Sequence, residues 1–452
     1  MSTKLLTAAK EVMSRISSAG YEAYIVGGAV RDMLLNNDPK DVDIATNMPI
    51  SKLGKAWKIH DIGKSKDFGI VVVAHGGHHF EVAQFRCDGA YEDGRRPSSV
   101  AIVSSFREDA ARRDFTINAM GMDSAGAIVD FFGGQDDLRA GIIRAVGKPH
   151  ERFEEDFLRI MRAVRFASRF QFSLETETEA AIKSLSSCLT SLASERIKEE
   201  LFKAASMGGS RFAQYVGMLD RTGILPVILP EVSVLKGYSH NPKHHPESDD
   251  VLGHTIEAIR CSNSTNPIVN LALLFHDAGK SVALGYKNGE PTYYDHDNAG
   301  ESIFLSVASR LKFSNEEKSA ITFAIVNHMR FHGLLAMKPS KVAKMAISPY
   351  WGILVQVAKA DEDSRGEAMT SAHDSFDERV SAATRILETW GSKVVANGHV
   401  SAISGDRVMA LTSLPPGKEV GRIMKVATSW AVDNDVTDPL KIEEYVKGIL
   451  VS

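Results

Sequence analysis

The residues best suited to chemistry lie near the start of the chain, where a glycine pair precedes two closely spaced aspartates. Gly27 and Gly28 follow Tyr21–Val26, which predicts a buried strand, and they allow a sharp turn whose amides can approach a phosphate. Asp41 and Asp43 lie two positions apart, so a strand would place both carboxylates on one face, an arrangement that suits Mg²⁺. Together the motifs predict nucleotidyl transfer, whereas either one alone also occurs as a tight turn or an acidic edge.

Glu81 is a candidate third carboxylate for this metal site. Alternation along the strand predicted around it places Glu81, Ala83 and Phe85 on one face. A solvent-facing Glu81 without a metal role is an equally weighted alternative. The nearby segment Cys87–Pro97 combines two glycines, a proline and many charged residues, which predicts a flexible loop that gates or reshapes the site. A plain hairpin connection is the alternative, which the length of the segment disfavours.

A second charged motif begins at Arg112 and Arg113. Two guanidinium groups suit triphosphate oxygens by charge and by bidentate geometry. Asp114 and Asn118 are one helical turn apart, and we expect them to hydrogen-bond a ribose 2′-hydroxyl. A solvated charged surface is the alternative for this motif.

The C-terminal half holds a second candidate metal site, made of His254, His276, Asp277 and Asp361. The adjacent His276 and Asp277 end an apolar helical segment, and mixed imidazole and carboxylate donors suit Mn, Ni or Co better than Mg²⁺. His296 and His328 are candidates for a second metal or for the substrate phosphate, and Asp363 competes with Asp361. The order of these residues resembles the H…HD…D pattern of HD phosphohydrolases.

The elements that must position these residues change character along the chain. The first part alternates helix and strand, and the residues His75, Gly76, Gly77 and His78 between two β-rich segments predict a hairpin. The chain is overwhelmingly helical from about residue 150 onward. We therefore expect an α+β fold with four domains: a mixed-sheet head at 1–145, a helical neck and body at 146–236, a histidine-bearing helical domain at 237–370 and a helical tail at 371–452.

The amino-acid composition indicates which class of protein this chain forms. The 452 residues have a formal net charge of −4 and 44% hydrophobic content, which is ordinary for a globular protein. No apolar run has membrane-spanning length, and no signal-peptide pattern opens the chain. The cysteines, Cys87, Cys188 and Cys261, are far apart and form no zinc pattern. We expect a cytoplasmic protein without a membrane partner.

The ordered motifs resemble the class II nucleotidyltransferases of the DNA polymerase β superfamily, which include bacterial tRNA CCA-adding enzymes and poly(A) polymerases. The segments that carry the resemblance span residues 20–235: Gly27–Asp32, Asp41 and Asp43, Tyr91–Pro97, Arg112–Met120, Gly147–Arg159, Arg162–Ala167 and Ser194–Ile197. The resemblance implies a polymerase β-like head, two Mg²⁺ ions, CTP and ATP as substrates, and tRNA held at its acceptor end. It also implies phosphatase and 2′,3′-cyclic phosphodiesterase activity for an attached HD domain.

The segment around Glu155 has a physical argument for choosing bases. On one helix, Asp156 and Arg159 would face the same cleft. A carboxylate accepts from the amine of cytosine or adenine, and a guanidinium donates to the neighbouring ring nitrogen, whereas uracil and guanine present the opposite pattern. A surface salt bridge is the alternative. Arg159, Arg162, Arg165 and Arg169 further predict a basic helix stripe, either facing phosphates or paired in part with Glu154 and Glu155.

These arguments predict a set of nucleotide-binding residues: Gly27, Gly28, Arg31, Arg112, Arg113, Asp114, Asn118, Glu155, Asp156, Arg159, Arg162 and Arg165. The predicted function is template-free addition of CCA to the tRNA 3′ end. A poly(A) polymerase is the first alternative, because its head motifs are nearly the same. A metal phosphohydrolase whose head only binds RNA is the alternative of another class.

Overall fold

A computed structural model of the protein describes residues 2–60, 69–89, 100–240, 248–365, 375–391, 394–395 and 399–449. Contacts divide the chain into two compact units. The N-terminal unit comprises Met1–Ala204 and Gln214–Pro230, and the C-terminal unit comprises Ala205–Ala213 and Glu231–Ser452. The four-domain division expected from the sequence stays a prediction.

The N-terminal unit is built on a mixed sheet with the strand order β3-β4-β5-β2-β1-β8-β9. The elements of this region are α1 (Ser2–Ser18), β1 (Ala23–Val26), α2 (Gly28–Leu34), β2 (Asp43–Thr46), α3 (Ile50–Ala56), β3 (Ile59–His60), β4 (Ile70–His75), β5 (His78–Gln84), β6 (Arg86–Asp88), β7 (Val100–Ile102), α4 (Phe106–Ala111), β8 (Gly121–Met122), β9 (Ile128–Val129), α5 (Gly134–Ala140) and β10 (Ile142–Ile143). β1 pairs antiparallel with β2, and β2 pairs parallel with β5.

Strands β4 and β5 form the hairpin that the sequence predicts around Gly76 and Gly77. His75 pairs with His78, and the two glycines between them have φ values of 58° and 76°. Positive φ at both central residues suits the right-handed twist of a hairpin and is the reason glycine is needed here. Alternate residues of the two strands are apolar and fully buried, namely Val71 and Val73 on β4 and Phe80 and Val82 on β5.

Helices complete the N-terminal unit and begin the C-terminal one. They are α6 (Pro149–Glu155), α7 (Leu158–Phe170), α8 (Thr176–Leu185), α9 (Ser194–Ala205), α10 (Gly209–Arg221), α11 (Leu225–Ile228) and α12 (Pro230–Ser233), with the short strand β11 (Ser173–Leu174) after α7. Buried residues on α7 recur at helical spacing, including Ile160, Ala163, Val164 and Ala167. This apolar face fixes which residues of α7 point inward.

The C-terminal unit is almost entirely helical. Its further elements are α13 (Val251–Cys261), α14 (Pro267–Phe275), α15 (Lys280–Ala283), β12 (Gly285–Lys287), β13 (Glu290–Thr292), α16 (His296–Arg310), α17 (Asn315–His332), α18 (Pro339–Ala346), α19 (Trp351–Ser364), α20 (Phe376–Trp390), β14 (Val394–Val395), β15 (His399–Val400), α21 (Gly405–Thr412), α22 (Lys418–Asp433) and α23 (Pro439–Ile449). In the part of the chain that the structure describes, every helix is too short or too polar to cross a membrane.

The predicted fold class, a mixed sheet with helices followed by helical segments, is confirmed. The strand predicted at Tyr21–Val26 is shorter, Ala23–Val26, and the helix after the glycine pair starts at Gly28. The apolar helix predicted before His276 is α14, which ends at Phe275.

Candidate active site and metal centre

The sheet topology brings three predicted carboxylates to one region of the N-terminal unit. Val26, the last residue of β1, pairs with Asp43, so Asp43 lies beside the Gly27 turn. On the other side of β2, Ile44 pairs with Val82 in parallel register, which places Asp43 next to Glu81. Asp41 precedes β2 and has an exposed side chain, as do Asp43 and Glu81.

The pKa of Asp43 is raised by its burial and by the neighbouring carboxylates. The surrounding protein desolvates its carboxylate, and the negative charges of Glu81 and Asp41 raise its pKa further, while Arg113 opposes the rise. Mutual repulsion among carboxylates is what a divalent cation relieves, so this cluster fits a metal bound by oxygen ligands. Among the described residues, the three side chains do not form a set with all ligand atoms within 4.8 Å of one another. They therefore suit ions that keep waters or substrate oxygens in their shell.

The turn after β1 depends on glycine and lies against Arg113. Gly27 has φ 70° and ψ −132°, and a β-carbon at this position would lie 3.3 Å from Nη1 of Arg113. A hydrogen bond to Asp109 fixes the guanidinium of Arg113, since its Nη2 donates to Asp109 Oδ2 at 3.0 Å. Arg112 donates from Nε and Nη2 to the other oxygen of Asp109 at 3.0 and 2.8 Å. Buried Asp109, which the sequence analysis missed, anchors both arginines, and its i,i+3 and i,i+4 spacing to them was the available signal.

Asp114 is the hub of a buried hydrogen-bond network. Its Oδ1 accepts from the Phe115 amide at 2.9 Å and from Asn118 Nδ2 at 3.0 Å, and its Oδ2 accepts from Nε and Nη2 of Arg162 at 2.9 and 2.6 Å. Although burial opposes ionisation, Arg162 and Asn118 lower the pKa of Asp114 to about 2. These four donors occupy the acceptor positions of the Asp114 carboxylate. One of the four is the Asn118 amide, so Asp114 and Asn118 are hydrogen-bonded to each other.

Arg31 extends this network into the interior. Its Nη1 donates to Asn118 Oδ1, and its Nε and Nη2 donate to Asp32 Oδ1 at 2.9 and 2.7 Å. The guanidinium lies over the rings of Phe166 and Phe170, and the residue is 4% exposed. Its position supports the fold of the glycine-pair motif, because it ties α2 to the Asn118 turn.

The geometry expected of Asp156 and Arg159 is wrong in one respect. The two residues are not on one continuous helix: α6 ends at Glu155, Asp156 has extended backbone at φ −149°, and α7 begins at Leu158. Asp156 pairs with Arg196 at 2.8 and 3.0 Å, while Arg159 pairs with Glu155 and donates to the Arg112 carbonyl at 3.1 Å. A helix break was not predicted because neither glycine nor proline marks it.

The four arginines predicted to form a basic stripe each have an acidic neighbour. Arg159 pairs with Glu155, as one alternative anticipated, and Arg162 with Asp114. Arg169 lies 3.7 Å from Asp32. Arg165 differs most from the predicted surface position, because its Nε donates to Glu200 Oε2 at 2.6 Å and both side chains are buried. Of the loop predicted at Cys87–Pro97, Cys87 and Asp88 instead belong to strand β6, where they pair with β7, and residues 90–97 lie outside the described residues.

The predicted histidines and aspartates of the C-terminal unit converge on one buried cluster. His254 Nε2 lies 3.0 Å from Asp361 Oδ1 and 3.6 Å from Asp277 Oδ2. His276 Nε2 lies 3.3 Å from Asp277 Oδ2. The ligand atoms of His254, His276 and Asp277 all lie within 4.8 Å of one another.

A second set shares Asp277. His296 Nε2 lies 3.3 Å from Asp277 Oδ1 and 3.3 Å from His328 Nε2, and these three residues also have ligand atoms within 4.8 Å of one another. Asp277 thus presents one oxygen to each set. The arrangement fits two metal ions that share Asp277 as a bridging ligand. The competing residue, Asp363, instead pairs with Lys359 and is partly exposed.

The orientation of the histidine rings supports metal binding. The Nδ1 atoms of His276, His296 and His328 lie 2.7, 2.7 and 2.6 Å from the carbonyls of Leu273, Tyr293 and Ile325. A protonated Nδ1 that donates to a carbonyl leaves Nε2 unprotonated and aimed at the cluster, which is the usual second shell of a metal-binding histidine. In the described part of the chain, the buried Nε2 of His276 has no hydrogen-bond partner of good geometry, which fits a metal-ligand atom.

Cations that sequence reasoning missed surround this cluster. Lys280 donates to Asp277 Oδ2 at 2.6 Å, and Arg365 donates to both oxygens of Asp361 at 2.9 and 2.7 Å. Despite burial, the groups around Asp277, Lys280 among them, hold the pKa of this carboxylate well below its usual range. Each cation lies three or four residues after its carboxylate, which is the spacing that would have revealed it.

Comparison with known family models finds similarity in the first half of the chain. A family model described as the poly A polymerase head domain matches residues 23–144, and one described as a probable RNA and SrmB-binding site of polymerase A matches residues 171–235. The chain is 44% identical over 244 residues to a CCA-adding enzyme of Lactobacillus johnsonii, which covers 54% of this chain and 60% of that protein. It is 45% identical over 214 residues to a CCA-adding enzyme of Geobacillus stearothermophilus, covering 47% and 52%. The chain thus spans between half and two thirds of the length of these curated relatives.

Solved structures extend the similarity to the whole fold. The crystal structure of the Bacillus stearothermophilus CCA-adding enzyme in complex with CTP aligns with a TM-score of 0.68 and 26% identity, covering 98% of this chain and 96% of that one. A Thermotoga maritima CCA-adding enzyme complexed with tRNA aligns with a TM-score of 0.61 and 18% identity, which shows a common fold. The head motifs, the matched models and these relatives make the chain similar to CCA-adding enzymes and to poly(A) polymerases.

Proposed function

We propose that the chain adds CCA to the 3′ end of tRNA, using CTP and ATP without a nucleic-acid template. The observation that carries the proposal is the juxtaposition of Asp43 with Glu81, the Gly27 turn and Arg113 in a chain similar to CCA-adding enzymes. Asp41, Asp43 and, as the third ligand, Glu81 would hold the Mg²⁺ ions. Bound there, Mg²⁺ would supply the positive charge that stabilises the oxygens of the attacking hydroxyl and of the leaving pyrophosphate.

The protein's own part is to bind and orient the nucleotide. Arg113, anchored on Asp109, has its guanidinium beside the Gly27 turn and is suited to triphosphate oxygens. Arg112 shares the same anchor. Because Asp109 already fixes the side chains of Arg112 and Arg113, less conformational entropy is lost when a triphosphate binds.

Base choice would fall to Asp156 and Arg159. In the described structure both groups are held by other side chains, Asp156 by Arg196 and Arg159 by Glu155. Arg196 therefore fixes the acceptor oxygens of Asp156, and Glu155 fixes the donors of Arg159. A nucleobase with an amine next to a ring nitrogen complements this pair of groups, which covers cytosine and adenine.

The proposed tRNA partner also has a suitable surface in the C-terminal unit. A groove formed by the start of α18 and by α22 and α23 is lined by Lys338, Arg422, Lys425, Trp430 and Tyr445, and also by Asp433. The rings of Trp430 and Tyr445 are stacked with centroids 4.1 Å apart. Positive charge next to aromatic rings is the combination that binds a phosphate backbone and unstacked bases.

The experiment is incorporation of labelled CTP and ATP into tRNA that lacks its terminal CCA. Asp43→Asn and Glu81→Gln should abolish incorporation or lower it strongly, while Asp136→Asn, whose exposed side chain pairs with Arg139 in the same unit, serves as the matched control. Wild-type turnover in Asp43→Asn would overturn the assignment. Wild-type turnover in Glu81→Gln alone would leave a site of two carboxylates.

We infer a second activity for the C-terminal unit, hydrolysis of phosphate esters, including 2′,3′-cyclic phosphates. It is favoured by the five-residue cluster in which Asp277 is common to two groups of candidate metal ligands, and by Asp361, whose Oδ1 lies 3.0 Å from His254 Nε2. His254, His276, His296 and His328 would hold Mn, Ni or Co with Asp277 and Asp361, and the metals would activate water. Release of phosphate from adenosine 2′-phosphate with added Mn²⁺ or Ni²⁺ tests it, with His276→Ala as the inactive variant. Absence of hydrolysis with any divalent metal would refute it.

A further inference from the structure

Arg152, which is not among the predicted nucleotide-binding residues, lies where the end of α4 meets the break between α6 and α7. Its guanidinium donates in three directions: Nη2 to the Ala111 carbonyl at 2.7 Å, Nε to the Val146 carbonyl at 3.2 Å and Nη1 to Glu155 Oε2 at 2.7 Å. The planar fork of arginine permits three bonds in fixed directions, whereas a lysine ammonium on a flexible stem cannot hold the same three acceptors. Arg152 therefore ties three separate backbone segments together.

Arg159 makes a parallel set of bonds to the same segments. Its Nη2 donates to the Arg112 carbonyl at 3.1 Å, and its Nη1 donates to the Arg152 carbonyl at 2.9 Å. Both guanidinium groups also share Glu155 Oε2. The last carbonyls of a helix lack donors within it, and these two arginines supply donors to the Ala111 and Arg112 carbonyls at the end of α4. We call Arg152, Glu155 and Arg159 the arginine clamp.

The arginine clamp lies between the two groups of residues proposed to bind a nucleotide. On one side, α4 leads directly into Arg112 and Arg113, which are suited to triphosphate oxygens. On the other side are Asp156 and Arg159, which are proposed to read the base. One nucleotide has to contact both groups at once. The separation between them therefore decides whether the base reaches its partners once the triphosphate is bound.

We propose that Arg152 is a positioning residue for base choice, which acts through Arg159 and the end of α4 by fixing that separation. The proposal rests on the nucleotidyl transfer proposed above. A misplacement of about 1 Å caused by a remote substitution can cost about 100-fold in rate. Loosening the arginine clamp should therefore weaken the selection of CTP over UTP. Free tripolyphosphate has no base to align, so its binding to Arg112 and Arg113 should be retained.

The test measures kcat/KM for CTP and for UTP on tRNA that lacks CCA, and the inhibition of CTP incorporation by inorganic tripolyphosphate, in the full-length protein. Arg152→Lys keeps the charge but not the fork. It should lower the CTP-to-UTP ratio of kcat/KM at least about 10-fold, while the inhibition constant of tripolyphosphate changes less than about 3-fold. Both quantities are independent of the fraction of protein that is folded. Arg139→Lys, at an exposed guanidinium paired with Asp136 in the same unit, is the matched control and should change neither.

The outcomes separate the positioning role from a general effect on the site. An unchanged CTP-to-UTP ratio in Arg152→Lys overturns the proposal, and so does an equal loss of base selection and tripolyphosphate inhibition, which would assign Arg152 to the triphosphate site. If Arg152→Lys does not fold, Glu155→Gln, which removes the charge shared by both guanidinium groups, should give the same two results.

Failure of the proposed function is recognised separately. If wild type incorporates neither nucleotide, nucleotidyl transfer fails, and calorimetric binding of CTP and UTP to the Mg²⁺-loaded protein decides the role of Arg152. A preference for CTP that Arg152→Lys reduces supports the arginine clamp, and a preference that is absent or unaffected overturns it.

Discussion

Replacing Asp114 with asparagine should destabilise the N-terminal unit by an amount that depends on pH. The carboxylate is buried, accepts four hydrogen bonds and has its pKa lowered from 3.8 to about 2. Such a depression corresponds to roughly 2 kcal/mol of folding free energy at neutral pH, since one pKa unit equals about 1.4 kcal/mol. Because the folded-state pKa is the lower one, this stabilisation is complete above the unfolded-state pKa near 4 and is lost as the pH falls through about 2. In Asp114→Asn the Arg162 donors also lose their charged acceptor.

The assay is urea unfolding followed by the fluorescence of Trp57, in a background where the tryptophans of the C-terminal unit are phenylalanine. At pH 7 the difference in unfolding free energy between the parent and Asp114→Asn should be about 2 kcal/mol or more, and it should shrink by about 1 kcal/mol between pH 5 and pH 3. Asp136→Asn, at a side chain that is 79% exposed, should change stability by less than about 0.5 kcal/mol. A difference for Asp114→Asn that is small at pH 7, or constant down to pH 3, would refute the reasoning.

Three further predictions concern other parts of the chain. Arg165→Met should leave the buried Glu200 with only the longer contact to Lys203, at 3.4 Å, and lower the stability of the N-terminal unit by up to about 3 kcal/mol in the same unfolding assay, with base choice unchanged in the protein that remains folded. Arg196→Ala should weaken discrimination against UTP and GTP more than it weakens triphosphate binding, because it frees the Asp156 carboxylate; equal incorporation kinetics in variant and wild type would argue against that role. Asp277→Asn should abolish calorimetric binding of Mn²⁺ to the C-terminal unit while CTP incorporation with Mg²⁺ continues, and loss of both in a folded variant would show that the two activities are coupled.

The parts of the site that the sequence predicts well are those determined by local backbone geometry. The Gly27 turn, the β2 aspartate and the hairpin at Gly76 each follow from a few adjacent residues whose conformational needs are strong. The identity of the histidine cluster follows from the order of ligand types along the chain. Its ring orientation does not, because the carbonyls that accept from Nδ1 come from backbone positions that only the folded helices define.

Pairings over long sequence distances account for most of what was missed. Asp156 and Arg196 are 40 residues apart, and Arg165 and Glu200 are 35 apart, so neither pair is visible as a spacing pattern. The charge of an arginine likewise does not reveal whether it faces solvent or a buried carboxylate. For Arg165, the helical face on which it lies is set by the apolar residues of α7, and these turn it inward.

The central proposal, template-free CCA addition, is tested most directly by sequencing the products made on tRNA that ends at the discriminator base. With CTP and ATP both present, the account predicts addition of two cytidines and one adenosine followed by arrest, and with CTP alone it predicts two cytidines. Extended adenosine tails from ATP alone would instead identify a poly(A) polymerase, and no extension with either nucleotide would contradict the assignment of the head as a nucleotidyltransferase.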